Sequence, residues 1–201
     1  MSFLKNIDHS KYVVDDITYK TFTCDDCSSK KKEFSLCEDD SSPKNLKNFG
    51  YITLQYLQNS IIYITTPVMT CLFGIDKNTW NMSLQFSNIK TNNEMKSFFD
   101  TIQRIEMFQM KYLDLNEDET HLYNSQIKYD KKGKYDPNLS VKIPFKYNRF
   151  ECDIINDNYS SMTILNINNF TKMKCDIYID KIWKYNGQYI CKWKCKKIHI
   201  V

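Results

Sequence analysis

Alanine is absent from this 201-residue chain, glycine and proline number four each, and arginine occurs only at Arg104 and Arg149. So little Gly and Pro excludes a flexible linker, a collagen-like repeat and a Gly-rich low-complexity chain. It also excludes the Gly-rich loops that cradle phosphates. No G-x-x-x-x-G-K, dinucleotide Gly pattern, G-x-S-x-G or H-E-x-x-H is present, and none of His9, His121 and His199 clusters in sequence with a nucleophile. An enzyme is therefore not the expected reading. Scarce arginine removes the side chain that most often reads base edges bidentately, whereas lysine is a point charge suited to phosphate. No apolar run approaches the ~18 residues of a membrane-spanning helix. Residues 1–10 lack a charged start followed by an apolar stretch, so no secretory signal is expected. Eight cysteines without such a signal predict free thiols in a reducing compartment.

Lys, Ile, Asn, Tyr and Phe make up 93 of the 201 residues. All five have AT-rich codons, so part of this bias reports a genome. Hydrophobic residues at 42%, with 14% aromatic, suffice for a packed core in one domain of ordinary size. The net charge of +4 hides an asymmetry. Residues 1–100 carry 11 basic and 12 acidic side chains, and residues 101–201 carry 17 and 12. Two windows concentrate the excess. Residues 128–149 hold seven basic residues against Asp130 and Asp136, and residues 181–197 hold six lysines and no acid. A solvated lysine-rich surface is one reading; a site for a polyanion is the other.

Residues 1–47 read as an N-terminal extension, with a strand at 11–23 and a charged, Cys- and Ser-rich loop at 24–44. The main domain begins at 48. Strands are expected at 50–57 and 61–66, with Pro67 interrupting before another at 68–75. Trp80, Met82, Leu84 and Phe86 then alternate with polar residues as a half-buried strand. Residues 91–113 carry Met95, Phe98, Phe99, Ile102, Ile105 and Tyr112 at helical spacing, and Thr91 with Glu94 has capping-box spacing. An acidic exit follows at 114–120. Leu139, Val141, Ile143, Phe145 and Tyr147 alternate with Ser140, Lys142, Pro144 and Lys146, and Pro144 puts this strand at an edge or bulge. Shorter strands are expected at 150–156 and 162–167. Residues 174–183 and 188–201 flank Asn186-Gly187, a strong hairpin signal. The fold class is mostly β (α+β), with one long helix.

On the last strand Tyr189, Cys191, Trp193 and Cys195 share one face; Lys192, Lys194 and Lys196 share the other, ~7 Å apart. A phase slip after Lys196-Lys197 predicts a bulge. Aromatic rings interleave with these cations, as in single-strand binders, whose bases stack at ~1–3 kcal/mol each. Parity places Tyr147 and Trp193 in the core, and leaves Tyr129, Tyr135 and Trp183 as better stacking candidates. Cys24-x-x-Cys27 with Cys37 and His9 is a poor match to a structural zinc pattern, and no metal site or cofactor is assigned. Cys71, Cys152, Cys175, Cys191 and Cys195 read as small buried apolar residues.

Four segments carry a family resemblance. They are Ile64-Thr65-Thr66-Pro67-Val68-Met69 with Phe73-Gly74; Pro137-x-Leu139-x-Val141-Lys142-Ile143-Pro144; Cys175-Asp176-Ile177-Tyr178-Ile179-Asp180-Lys181-Ile182-Trp183; and Gly187 followed by Cys191-Lys192-Trp193-Lys194-Cys195-Lys196-Lys197-Ile198. Over about two thirds of the chain, from residue 63, they resemble the single-stranded-DNA-binding proteins of large nucleocytoplasmic DNA viruses, of the African swine fever virus type. The resemblance implies an OB-fold-like barrel at 48–201 with an inserted helix. It further implies single-stranded DNA binding in viral replication or repair, with viral replication proteins as partners, in a virus factory of the host cytoplasm or in the virion. The expected contacts are Lys128, Tyr129, Tyr135, Lys142, Lys146, Tyr147, Arg149, Trp183, Lys184, Lys192, Lys194 and Lys196. The chain closes on Lys196-Lys197-Ile198-His199-Ile200-Val201, unlike the acidic tails by which many single-strand binders recruit other proteins. Two alternatives stand beside this reading: a self-associating viral structural or scaffold protein, and an RNA-binding or zinc-dependent transcription accessory.

Overall fold

Alternation with period two runs through five segments whose inward residues are large and apolar, and such segments bury one face only by closing on one another. The computed structural model describes residues 7–8, 17–24, 34–36, 49–56, 62–156 and 163–201. In it β1 (Met69–Asp76), β2 (Asn81–Gln85), β3 (Asn138–Lys142), β4 (Thr171–Ile179) and β5 (Trp193–Ile200) form a closed ring. β1 pairs with β2, β2 with β3, β3 with β5, β5 with β4, and β4 with β1. Only β3–β5 is parallel. This 1-2-3-5-4 order is that of an OB-like Greek-key barrel. Its interior holds Met69, Cys71, Met82, Leu84, Leu139, Val141, Met173, Cys175, Ile177, Trp193, Cys195 and Ile198, all buried. Trp193 is 1% exposed, as its parity predicts.

A second sheet runs in the order Gln188–Cys191, Lys181–Tyr185, Phe49–Tyr56, Ile17–Cys24, Phe34–Leu36. Phe49–Tyr56 was expected in the barrel and belongs here instead. Alternation fixes which face of a strand is buried, but not which neighbour it pairs with. The Asn186-Gly187 hairpin forms as expected, with both residues left-handed. Its strands, however, pair in the second sheet, so the segments 174–183 and 188–201 each divide in two. The chain leaves the barrel at Asp180 and re-enters at Trp193. The Asp180 carbonyl accepts from the Leu54 N–H at 2.8 Å, and its carboxylate pairs with Lys194 at 2.7 Å. One residue of the excursion therefore anchors both sheets. Ile177 pairs with Cys195 and Asp176 with Lys197, leaving Lys196 as the extra residue of the expected bulge.

The strand expected at 139–147 ends at Lys142. Pro144 has no N–H to give a ladder, and the chain is extruded as a small hairpin, Phe145–Lys146 against Arg149–Phe150. Tyr147 and Asn148 turn it, both with positive φ, the geometry a two-residue hairpin turn requires. Tyr147 is consequently 91% exposed rather than in the core, because the break at Pro144 ends the phase that placed it there. The strand resumes only at Asp153–Asn156, parallel to β5, where continuous pairing from residue 150 was expected. The segment at 162–167 contains a 3-10 turn, Ile164–Asn166, in place of a strand, and the acidic exit contains another, Glu117–Leu122.

Helix α1 (Asn93–Tyr112) lies between β2 and β3 in the chain. Its cap is Asn92, whose side chain accepts from the Met95 N–H at 3.1 Å, and not Thr91. Met95, Phe98, Ile102 and Ile105 form the buried stripe. Phe98 and Phe99 pack on Phe86, and Tyr112 stacks on Tyr19 of the second sheet at 4.0 Å. On the same helix Glu106 is buried and accepts from the Ser125 hydroxyl (2.6 Å) and the Gln126 N–H (2.7 Å). Burial raises its pKa, against the lowering effect of those bonds. His9, Cys27 and Cys37 lie outside the described residues, as does most of the 24–44 loop.

Two predictions follow from this packing. Gly74 has φ +65, and a Cβ there would meet the Ile167 carbonyl oxygen at 2.7 Å. Gly74→Ala should cost about 2 kcal/mol or more, lowering Tm by about 4–8 °C in a thermal melt. For Glu106, the folded carboxyl holds its proton more tightly than the unfolded one. Glu106's contribution to stability is therefore fully present below the ordinary Glu value of 4.5 and is lost as pH rises from there through the raised folded value. Glu106→Gln removes that slope, so its Tm measured from pH 4 to pH 8 should be flatter than the wild type's.

Candidate nucleic-acid interface

In barrels of this topology the ligand face spans strands 2 and 3, flanked by the 1–2 and 4–5 connections. The outward positions here are Asn81, Ser83 and Gln85 on β2, and Asn138, Ser140 and Lys142 on β3. None is acidic. The 1–2 connection is the tight turn 77–80. Asp76 holds that turn, accepting from the Thr79 hydroxyl at 2.5 Å and the Asn78 N–H at 2.9 Å. These bonds, the Thr79 hydroxyl foremost, lower the Asp76 pKa. Lys142 donates to the Thr79 carbonyl, so its ammonium is fixed at the rim of the turn. Partial burial, followed by the charge of Lys192, lowers its pKa, with Asp76 opposing. Lys192 therefore lies electrostatically beside Lys142. It is exposed, in the break between Cys191 and Trp193.

Lys194 is opposite Lys142 in the β3–β5 register and points outward, as parity predicts. Its charge is committed to Asp180 at 2.7 Å, and it stands 5.9 Å from the Tyr178 ring centre. The expected row of three lysines is thus not three equivalent cations. Lys192 and Lys196 are exposed, while Lys194 is largely covered and paired.

The extruded hairpin sits against the 1–2 turn through a ring cluster. Trp80 is 5.1 Å from Phe145 and 5.0 Å, edge-on, from Phe150. Phe145 and Phe150 are 4.9 Å apart, and the Ile143 N–H donates to the Trp80 carbonyl at 2.7 Å. The cluster presents Lys146, Tyr147 and Arg149 to solvent, with Lys146 3.6 Å from Glu151. Arg149 and Lys196 come together as lining of one open recess. Lys142, Lys146, Tyr147, Arg149, Lys192, Lys194 and Lys196 therefore belong to the β3–β5 side and its attached hairpin.

The remaining candidates sit elsewhere. Lys128, opposite Asn138 beside the start of β3, donates to Asn124 Oδ1 at 2.9 Å and to the Ser125 carbonyl. Tyr129 is exposed, and its hydroxyl accepts from Gln103 of α1 at 3.0 Å. Tyr135 is exposed on the following loop, with Lys134 5.1 Å from its ring. Trp183 and Lys184 lie in the second sheet. Trp183 is half-buried, 5.0 Å from Tyr51, with the Lys181 ammonium 4.1 Å from the Tyr51 ring and 5.6 Å from its own. Lys184 lies 5.2 Å from the Tyr189 ring.

Three further aromatics were not singled out by the sequence. Phe73 and Phe170 are 71% and 69% exposed. Parity puts Phe73 inside with Met69 and Cys71, but a register irregularity between Cys71 and Ile75 turns it out. Phe170 has φ +62, set by the turn before β4. Tyr178 did carry a signal, being an aromatic on the polar phase of β4 between Asp176 and Asp180. The five cysteines expected to be buried and free are so. Burial drives the pKa values of Cys71, Cys191 and Cys195 up, and contact with Cys195 raises that of Cys152, so these sulfurs are inert thiols.

No protein-family model matches this chain, and no curated protein does. Among solved structures the chain is similar to the single-stranded DNA-binding protein from bacteriophage Enc34, C-terminal truncation. That likeness has a TM-score of 0.42 at 10% identity and covers 78% of this chain and 91% of that one.

Proposed function

We propose that this protein is a non-enzymatic, sequence-tolerant single-stranded-DNA-binding protein that acts in the replication or repair of a large DNA virus in the host cytoplasm. The observation that carries the reading is the outer face of β2, β3 and β5 with its attached hairpin. It is a surface free of outward acids on β2 and β3, rimmed by Lys142, Lys192, Lys196, Lys146 and Arg149. The ring order of the strands supports this reading, because OB-like barrels take ligand on the outer face of strands 2 and 3 and their flanking loops. Lysines spaced along an extended surface neutralise successive phosphates without reading bases. Exposed Tyr147 at the hairpin tip offers a ring on which a base can stack. DNA as the ligand and the viral setting rest on the sequence resemblance.

The test is a fluorescence-anisotropy titration with labelled oligo-dT, single-stranded and duplex, across salt concentrations. Binding should prefer the single strand, with log K falling linearly against log salt. Lys192→Gln should weaken binding to all sequences alike and flatten that slope by about 0.7. Lys194→Gln should change it less, because Asp180 already neutralises that ammonium. An unchanged slope in Lys192→Gln would remove Lys192 from the interface. No binding at low salt would make the basic windows a solvated surface and favour a self-associating structural protein.

A further inference from the structure

β5 makes three pairings along its length. On one side β4 follows it throughout. On the other side β3 pairs with Trp193 and Lys194, and Asp153–Asn156 pairs with residues 197–200. Between those two partners the neighbouring strand is missing, because residues 145–150 have left the sheet as the extruded hairpin. Lys196, the bulged residue of β5, sits at this gap. Here lies an open recess of about 420 Å³ lined by Arg149, Phe150, Glu151, Tyr178 and Lys196.

The lining is chemically mixed. Two cations, Arg149 and Lys196, suit a phosphate. Two rings line it as well: Phe150, packed against Trp80 and Phe145, and Tyr178, 5.9 Å from the Lys194 ammonium, and an aromatic edge or face suits a flat base. Glu151 adds one carboxylate, an acceptor only. Its backbone N–H is bound to the Pro144 carbonyl at 2.8 Å, which fixes the residue at the foot of the hairpin, and Lys146 is its ionic partner at 3.6 Å. The open shape suits one unit of a longer strand rather than an enclosed metabolite.

We infer that this recess is a single-nucleotide subsite in which Glu151 selects an amino-bearing base over thymine. This deepens the proposed function and rests on it. The carboxylate accepts from an exocyclic amine such as cytosine N4. Thymine presents carbonyl oxygens at the corresponding edge, and these repel it. Arg149 and Lys196 hold the phosphate whatever the base. A protein otherwise tolerant of sequence thereby acquires a local preference at one position of the strand.

The experiment measures the affinities of labelled oligo-dC and oligo-dT for the full chain, wild type and Glu151→Gln, with folding of each checked by thermal melt. Glutamine keeps the size of the side chain and can donate to thymine as well as accept from cytosine. The dC:dT affinity ratio should therefore fall about five-fold in Glu151→Gln, while affinity for oligo-dT rises with the loss of a negative charge. Lys196→Gln should weaken both polymers together and leave the ratio within about two-fold. A ratio unchanged by Glu151→Gln would overturn the subsite while leaving single-strand binding intact. Failure of the wild type to bind either polymer would overturn the proposed function and the subsite with it.

Discussion

The short parallel pairing of β3 with β5, Val141 with Trp193 and Lys142 with Lys194, is the constraint on which the rest of the molecule depends. It is the only parallel contact in the ring and the one that turns a strip of sheet into a barrel. It sets two faces at once. Inside, it seals Trp193 and Val141 in the core, where their apolar area contributes most. Outside, it brings Lys142 and Lys194 to adjacent positions, a like-charge juxtaposition that is unfavourable across strands. The fold offsets it locally. Lys194 is neutralised by Asp180, and Lys142 is tied to the 1–2 turn.

The 145–150 hairpin and the 4–5 connection both leave the ring, each anchored by its own contacts. The 145–150 hairpin is held by apolar contact, through Trp80, Phe145 and Phe150. The 4–5 connection is held by burial of Ile182, Tyr189 and Cys191, by its pairing with Phe49–Tyr56, and at its root by the Asp180–Lys194 pair and the Leu54–Asp180 hydrogen bond. The 145–150 hairpin carries Arg149 and Tyr147. It is also the one whose departure opens the recess beside Lys196.

Much was legible from the residues alone. The β-rich class, the helix, the buried thiols, the break at Pro67, the Asn-Gly turn and the bulge near Lys196 all followed from spacing and turn chemistry. The misplacement of Tyr147 has a local cause. Parity along a strand holds only while the strand lasts. At Pro144 the phase breaks, and Tyr147 passes from expected core to solvent. Thr91 lost the helix cap to Asn92 because two capping residues stood side by side, and sequence could not choose between them.

The sequence by itself determined which residues are apolar, their period and where turns fall. Those are local properties, set by backbone sterics and side-chain burial within a few residues. Only the tertiary structure decided that Phe49–Tyr56 pairs outside the barrel, that Lys194 is spent on Asp180 while Lys192 is exposed, and that Arg149 meets Lys196 across a missing strand. Each of these is a contact between residues distant along the chain. Its geometry depends on strand order and register, which alternation leaves open because every half-buried strand carries the same pattern.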